Sequence, residues 1–356
     1  MNKRYIRQIQ LDEVGLSGQQ KLSNAKVLVV GAGGLGCPIL QYLTTCGIGT
    51  LGIVDHDVVS LSNLHRQILY QKADVGMPKA LLAQQKLTAL NPEITVKALT
   101  TALTADNCLE LIKAYDVVVD GTDNFVTRYL INDACLILGK PMVFGALYKF
   151  EGQVSVFNYK DGPSYRCLYP NPPAAGEVPN CNDIGVLGIV PGIIGMLQAN
   201  EVLKMVLGIG EVLSGTVLYI NTLNYQQRLF SFSKNEALTK TIKNSAKPKA
   251  VATDDCIFTA SRSLEAIEDD HNVLWIDVRE LEETPVIHAE NLLNIPLSRI
   301  ESSLEIPNDH RVKLFFCQSG MRSQKATQLA IEKGIQNCFS LKEGAPQLQQ
   351  WLNEHR

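Results

Sequence analysis

The span Lys26–Asp55 leaves this chain few folds to choose from. It opens with KVLVV, Lys26–Val30, a short β-branched apolar run of the kind that forms a strand buried in a parallel sheet. Gly31, Gly33, Gly34 and Gly36 follow at once. Such glycines suit a tight turn whose backbone must come close to a phosphate. The residues Gly34–Thr45 continue as a helix whose first N–H groups face whatever the turn admits. A second strand, Thr50–Val54, ends in Asp55. An acid about 20 residues past the glycines can hydrogen-bond a ribose hydroxyl. The span therefore predicts an adenine-nucleotide site and leaves NAD and ATP both open.

The residues that follow favour a triphosphate. SLSNLHRQ puts Asn63 and Arg66 just beyond the second strand, and VGMPKA puts Lys79 at the start of the next helix. VVVDGTDN places Asp120, Asp123 and Asn124 at the end of a later strand. Cations beside carboxylates beyond strand ends suit ATP with Mg²⁺, whereas hydride transfer has less need of them. Strands are expected at Lys26–Val30, Thr50–Val54, Ile94–Ala98, Asp116–Asp120 and Pro141–Phe144. Helices are expected at Gly34–Thr45, Pro78–Leu90, Ala105–Lys113 and Phe125–Leu138. This alternation is that of a Rossmann-like, doubly wound, mainly parallel α/β sheet. Strands at Glu151–Tyr159, Gly215–Ile220 and Tyr225–Phe232 give it an antiparallel extension, and Ile189–Leu207 reads as a long apolar helix eased into close packing by Gly192 and Gly195.

The chain has 356 residues, room for more than one domain. A net charge of −3 offers no basic field for direct nucleic-acid binding. No apolar run reads as membrane-spanning and the N-terminus lacks a signal h-region, so the expectation is a cytoplasmic protein without a membrane partner. Nine cysteines without a small-domain framework argue against structural disulfides, and Cys37, Cys46, Cys108 and Cys135 read as small buried hydrophobes. Pro163–Asp183, rich in Pro, Asn and Gly, is long for a connection and contains Cys167 and Cys181. The domains expected are 1–232, a linker over Ser233–Asp254, and 255–356.

The rear domain carries its own chemistry. VLWIDV reads as a buried strand ending near Asp277, and VKLFFCQSGMRSQKATQLA reads as strand, tight loop and helix. Cys317 opens the loop, followed by Gln318, Ser319, Gly320, Met321 and Arg322. Loop N–H groups, the helix dipole and Arg322 favour an anion at Cys317 and would stabilise a persulfide. The loop is one residue shorter than a tyrosine-phosphatase loop, which favours sulfur over phosphate. A buried, inert cysteine after a strand is the plainer alternative.

RYIRQ, GAGGLGCP, DHDVVSLSNLHRQ, GMPKA and DGTDN, in this order, resemble the MoeB/ThiF family, relatives of ubiquitin-activating enzymes, over about Arg4 to Arg228. DVRE, then H…NIPL, then CxxGxRS is similar to a single rhodanese domain. The resemblance implies an ATP site formed by Gly34, Asp55, Asp57, Ser62, Asn63, Leu64, His65, Arg66, Lys79, Asp123 and Asn124, with Asp55 on the ribose and Asp123 on Mg²⁺. It implies that Arg66 and Lys79 act on the phosphates, and that Arg7 reaches into the partner subunit's site, hence a homodimer. It further implies a small ubiquitin-like sulfur-carrier partner with a Gly-Gly end, and sulfur held on Cys317 from a cysteine desulfurase or thiosulfate. Cys181 would join covalently to the carrier. A MoaD-like carrier (molybdopterin) or a ThiS-like one (thiazole) is possible, as is a cousin reaction on peptides or tRNA bases. A rear half that only docks partners, or an NAD-dependent oxidoreductase, would be different classes. The chain departs from the family in its zinc ligands. SYRC stands where one CxxC pair should be and no CxxC follows Arg228, so no zinc is expected and Cys167 reads as an inert leftover.

Overall fold

Val27, Leu28 and Val29 are fully buried in the structure, a computed structural model that describes residues 3–172, 185–248, 261–267, 272–302, 306–318 and 320–355. The chain separates into two units, 1–252 and 253–356. In the first, α1 (Ile6–Ile9) and α2 (Gly15–Asn24) lead into β1 (Lys26–Val30) and α3 (Gly36–Cys46). Then come β2 (Thr50–Val54), α4 (Lys79–Leu90), β3 (Thr95–Leu99), α5 (Cys108–Lys113), β4 (Val117–Asp120) and α6 (Phe125–Leu138). β5 (Met142–Tyr148), β6 (Glu151–Phe157), α7 (Tyr165–Leu168), α8 (Ile189–Leu207), β7 (Thr216–Asn221), β8 (Gln226–Ser231) and α9 (Glu236–Lys243) complete it.

The eight strands form one sheet in the order β3-β2-β1-β4-β5-β6-β7-β8. β3 to β5 pair in parallel and β5 to β8 antiparallel, which is the doubly wound sheet with an antiparallel extension that the sequence implies. Alternate residues of β1 enter opposite cores, as the period of a strand requires. Val27 and Val29 pack among residues of α3, α4 and α8, and Leu28 and Val30 among residues of α5 and α6. Each such side chain contributes about 1.5–3 kcal/mol by leaving water. Because β1 has β2 on one side and β4 on the other, a crevice opens at their carboxyl ends, where ligands of such sheets sit.

The second unit runs β9 (Ser261–Arg262), β10 (Val273–Asp277), β11 (Leu292–Asn294), α10 (Leu297–Ser302), β12 (Val312–Phe316), α11 (Met321–Glu332), β13 (Cys338–Leu341) and α12 (Ala345–Glu354). Its five strands are all parallel, in the order β11-β10-β12-β13-β9. Leu274, Ile276 and Phe315 face one core, and Val273, Trp275, Leu314 and Phe316 the other.

The structure departs from the sequence reading in several places. β5 runs on to Tyr148 because β6 pairs with it antiparallel, supplying hydrogen bonds that an apolar run cannot signal. α5 starts only at Cys108, since Thr104 and Asn107 close a side-chain turn just before it, Asn107 Oδ1 accepting from the Thr104 N–H at 2.8 Å. The expected linker Ser233–Asp254 contains a helix, α9, capped by Asn235 and seated on the first unit through buried Thr239 and Ile242. Its polar composition hid a two-residue apolar contact. α8, contrary to the reading that no run reaches spanning length, is long and apolar enough by composition to cross a bilayer. Val190, Ile194, Ala199 and Val202 instead bury it in the first unit's core. Of its two glycines only Gly195 is pressed: a Cβ there would lie 2.6 Å from the Leu35 carbonyl oxygen, whereas one on Gly192 would meet nothing within 4 Å.

Gly195→Ala is therefore expected to cost about 1–3 kcal/mol through overpacking. Gly192→Ala is expected to be neutral or to stabilise by up to about 1 kcal/mol through helix propensity. Urea titrations of the two variants against the parent chain measure the contrast.

Candidate active site

The crevice is built on the glycine turn. Gly31 takes φ +94°, open to glycine at little cost, and a Cβ on Gly36 would sit 2.0 Å from the Gly31 carbonyl oxygen. The turn is held from below by Asp55, which is 9% exposed. Asp55 Oδ2 accepts from the Ala32 N–H at 2.7 Å and Oδ1 from the Asp57 N–H at 2.8 Å. Burial pushes the Asp55 carboxyl above its ordinary range, while the two N–H groups and Lys79 pull it back down. Asp55 is thus a brace for the turn, and any ribose contact uses its remaining lone pairs. Tyr70, which sequence reasoning missed, clips the same turn to α4. Its hydroxyl lies 3.0 Å from the Ala32 carbonyl and 3.2 Å from that of Lys79.

Beyond β2 the chain collects cations. Lys79, 5% exposed, projects its ammonium to Asp57 at 2.9 Å, and its N–H donates to the Asp57 carbonyl at 2.9 Å. Asp57 itself is exposed, so the pair sits at the edge of the crevice with its lysine stem inside. Asn63 Oδ1 accepts from the Ser60 N–H at 3.2 Å, and the Ser62 carbonyl accepts from Arg66 at 3.2 Å and contacts His65 Nδ1 at 2.9 Å. Leu64 is partly buried against the core. A Cβ on Gly34 would lie 3.5 Å from Arg66 Cδ and 3.2 Å from Pro191, so this turn, Arg66 and the start of α8 meet. Gln67, also missed, is 3% exposed and lies against Gly33.

Three neighbours at the end of β4 have different duties. Asp120 is fully buried: Oδ1 accepts from the Thr122 N–H at 2.9 Å and the Thr122 hydroxyl at 2.6 Å, and Oδ2 from Arg128 Nε at 2.9 Å. Arg128 also reaches the Gly145 carbonyl at 3.3 Å, and Gln198 Nε2 donates to the Asp120 carbonyl at 2.7 Å. Asp120 is consequently spent on shaping the loop. Asn124 caps α6, its Oδ1 accepting from the Thr127 N–H at 2.9 Å. Asp123 is exposed in the same loop. Mg²⁺ commonly takes one or two carboxylates together with substrate phosphates, so a single outward carboxylate fits it. Among the described residues no cluster of three or more His, Cys, Asp or Glu could cage a metal without such help.

Arg7 is exposed on α1. Cys181 lies outside the described residues. Burial pushes the Cys37 thiol up to about 12 and raises Cys46, Cys108 and Cys135 as well, in keeping with small hydrophobes. Cys167 needs correction, because it is not an idle leftover. Its sulfur accepts from the Ser164 N–H at 3.3 Å and the Asn235 N–H at 3.2 Å, with the Thr239 hydroxyl at 3.6 Å. Burial raises this thiol, but the hydrogen bonds from Ser164, Asn235 and Thr239 prevail and lower it. The sulfur thereby ties α7 to the start of α9.

In the second unit Cys317 follows β12 and is 1% exposed. The Gly320 N–H donates to its sulfur at 3.1 Å, and Ser323 Oγ lies 3.7 Å away. Gly320 has φ +95°, which turns the loop into α11. Two arginines flank the loop, each already paired. Arg279 binds Asp277 through Nε at 2.9 Å and Nη2 at 2.7 Å, and donates to Gln318 Oε1 at 3.2 Å. Arg322 forks onto Glu283, with Nη2 to Oε2 at 2.7 Å. Hydrogen bonding from Arg322 holds the Glu283 carboxyl down at about 2. Asp277 opens the DVRE motif, whereas Glu283 lies three residues past its end and carries no signal in the sequence.

Comparison with known proteins covers both units. The model of the ThiF family matches residues 5–241, and that of the rhodanese-like domain matches 260–351. The sulfur carrier protein adenylyltransferase of Thermus thermophilus is 52% identical over 237 residues, 65% of this chain and 88% of that protein. The adenylyltransferase/sulfurtransferase MoeZ of Mycobacterium tuberculosis is 39% identical over 358 residues, 96% of this chain and 91% of its own. The adenylyltransferase and sulfurtransferase MOCS3 of Danio rerio is 39% identical, over 93% of this chain and 80% of its own. A crystal structure of Escherichia coli MccB with ATP shares the fold of the first unit, with a TM-score of 0.57 at 22% identity over 66% of this chain and 72% of that one.

Replacing Asp120 by Asn leaves Arg128 as a buried charge without its counter-ion. The expected loss is about 3–5 kcal/mol. Asn124→Ala, which removes a cap only, is expected to cost about 1 kcal/mol. Urea unfolding followed by far-UV circular dichroism separates the two.

Proposed function

Because the chain belongs to the ThiF family and carries a rhodanese-like domain, we propose that it adenylylates the C-terminal glycine of a small ubiquitin-like sulfur carrier and then exchanges the AMP for sulfur. Its class is that of an adenylyltransferase and sulfurtransferase. The observation that carries the reading is the buried Lys79 ammonium at the mouth of a glycine turn that Asp55 braces.

In this reaction the carrier carboxylate attacks the α-phosphorus of ATP, and the bond to the β-phosphate breaks, releasing pyrophosphate. Negative charge grows on the transferring and leaving oxygens. Lys79 and Arg66, with Arg7 from the partner subunit of a homodimer, stabilise it. On binding, the phosphates draw Lys79 away from Asp57. The Gly34 backbone lies against the nucleotide, Asp55 reaches the ribose, and Ser62–His65 and Asn124 border the site. Asp123 would hold Mg²⁺, which neutralises phosphate charge. The acyl-adenylate has a good leaving group where the carboxylate had none.

Sulfur enters from the second unit. The outer sulfur of a Cys317 persulfide attacks the acyl carbon, AMP departs, and carrier and Cys317 are joined by an acyl disulfide. The Cys181 thiolate then attacks the Cys317 sulfur and expels the carrier as its thiocarboxylate. The Cys181–Cys317 disulfide left behind is reopened by a thiol reductant. The Gly320 N–H aimed at the Cys317 sulfur supports an anion there. A MoaD-like carrier is the reading preferred, and exchange assays with MoaD-like and ThiS-like carriers distinguish the two.

Lys79→Ala is expected to lower carrier-dependent ATP–pyrophosphate exchange by about 10²–10³-fold. Cys317→Ala should retain exchange and lose thiocarboxylate formation; normal sulfuration by that variant would overturn the second step. Arg7→Ala and Lys79→Ala, each inactive alone, should on co-expression recover roughly a quarter of parental activity, since half the dimers are mixed and each has one intact site.

A further inference from the structure

The loop that holds Cys317 contains a cation already engaged by a carboxylate. Arg322 gives two N–H groups of its fork to the two oxygens of Glu283, which is further fixed by the Glu280 N–H at 3.0 Å. Arg279, the other arginine at the loop, is locked to Asp277 and reaches Gln318. The formal charge of these four side chains sums to zero. A small oxyanion at the loop therefore gains no net attraction from these four side chains, and competes with the Glu283 carboxylate for Arg322.

We infer that Glu283 selects the sulfur donor of the second unit: by occupying Arg322 it disfavours small dianionic donors of the thiosulfate class and leaves the site to donors that present a persulfide sulfur directly to Cys317. The inference rests on Cys317 being the sulfur-bearing residue and deepens that reading. With thiosulfate, the Cys317 thiolate attacks the sulfane sulfur, the S–S bond of thiosulfate breaks, and its electron pair leaves on sulfite. With a persulfide donor, the same attack expels the donor thiolate. Both reactions leave a persulfide on Cys317, but only the first brings in two negative charges that call on Arg322. Glu283 is thus a positioning residue for Arg322 rather than a catalytic one.

The test compares the full chain with Glu283→Gln and Glu283→Ala. Thiosulfate:cyanide sulfurtransfer is measured by thiocyanate release, and loading of Cys317 from cysteine persulfide by intact-mass spectrometry. Relief of Arg322 is expected to lower KM for thiosulfate at least about tenfold, with kcat held within about twofold and cysteine-persulfide loading unchanged. An unchanged or raised KM for thiosulfate would overturn the inference. So would loss of loading from both donors in both variants, since Glu283 would then be a brace for the loop. If the parent chain takes sulfur on Cys317 from neither donor, the persulfide reading itself falls and takes this inference with it.

Discussion

Much of the first unit hangs on one buried carboxylate. Asp55 directly follows β2 and accepts one N–H from the glycine turn and one from Asp57. Through the first bond it sets the height of the turn above the sheet. Through the second it sets the chain that carries the Asp57–Lys79 pair. A buried carboxylate is costly, and two backbone N–H groups with a nearby ammonium offset part of that cost. The shape of the turn and the place of the Asp57–Lys79 pair are thus two consequences of one local arrangement.

The same rule governs the rest of the molecule's interior charge. Asp120 with Arg128, Asp133 with Arg166 and Asp277 with Arg279 are all buried pairs with further hydrogen bonds on each guanidinium. Such pairs add little net stability compared with apolar packing, but breaking one partner is expensive. Two stand at the last residues of strands, Asp120 in β4 and Asp277 in β10, where loops begin. Arg279 forks onto both oxygens of Asp277, whereas Arg128 meets Asp120 through Nε and reaches the Thr122 and Gly145 carbonyls through Nη2, so each guanidinium ties its loop at more than one point. Arg322 with Glu283 differs in being only partly buried, so it can open.

The corrections share a cause. Cys167 read as idle because its sequence neighbours offer no second thiol, yet its sulfur collects donors from Ser164, Asn235 and Thr239, up to 72 residues away. α9 read as linker because only Thr239 and Ile242 of its eight residues are buried, too few for a periodic signal. Asp120 looked like a ligand from its place at a strand end, and the folded chain spends it on Arg128 and Thr122, while Asn124 gives its Oδ1 to a helix cap. A polar residue at a strand end has the same sequence signature whether it faces a ligand or its own backbone.

Sequence alone determined what depends on neighbours along the chain. The alternation of apolar strands with helices, the glycine turn, the acid at the end of β2 and the cysteine loop opening a helix are all short-range patterns, and each is present in the fold. Only the tertiary structure decided which charge answers which. Lys79 with Asp57, Arg322 with Glu283 and Tyr70 with the glycine turn are contacts between residues 22 to 39 positions apart. No periodicity encodes such pairs, because their partners are chosen by sheet order and loop path after the core has formed.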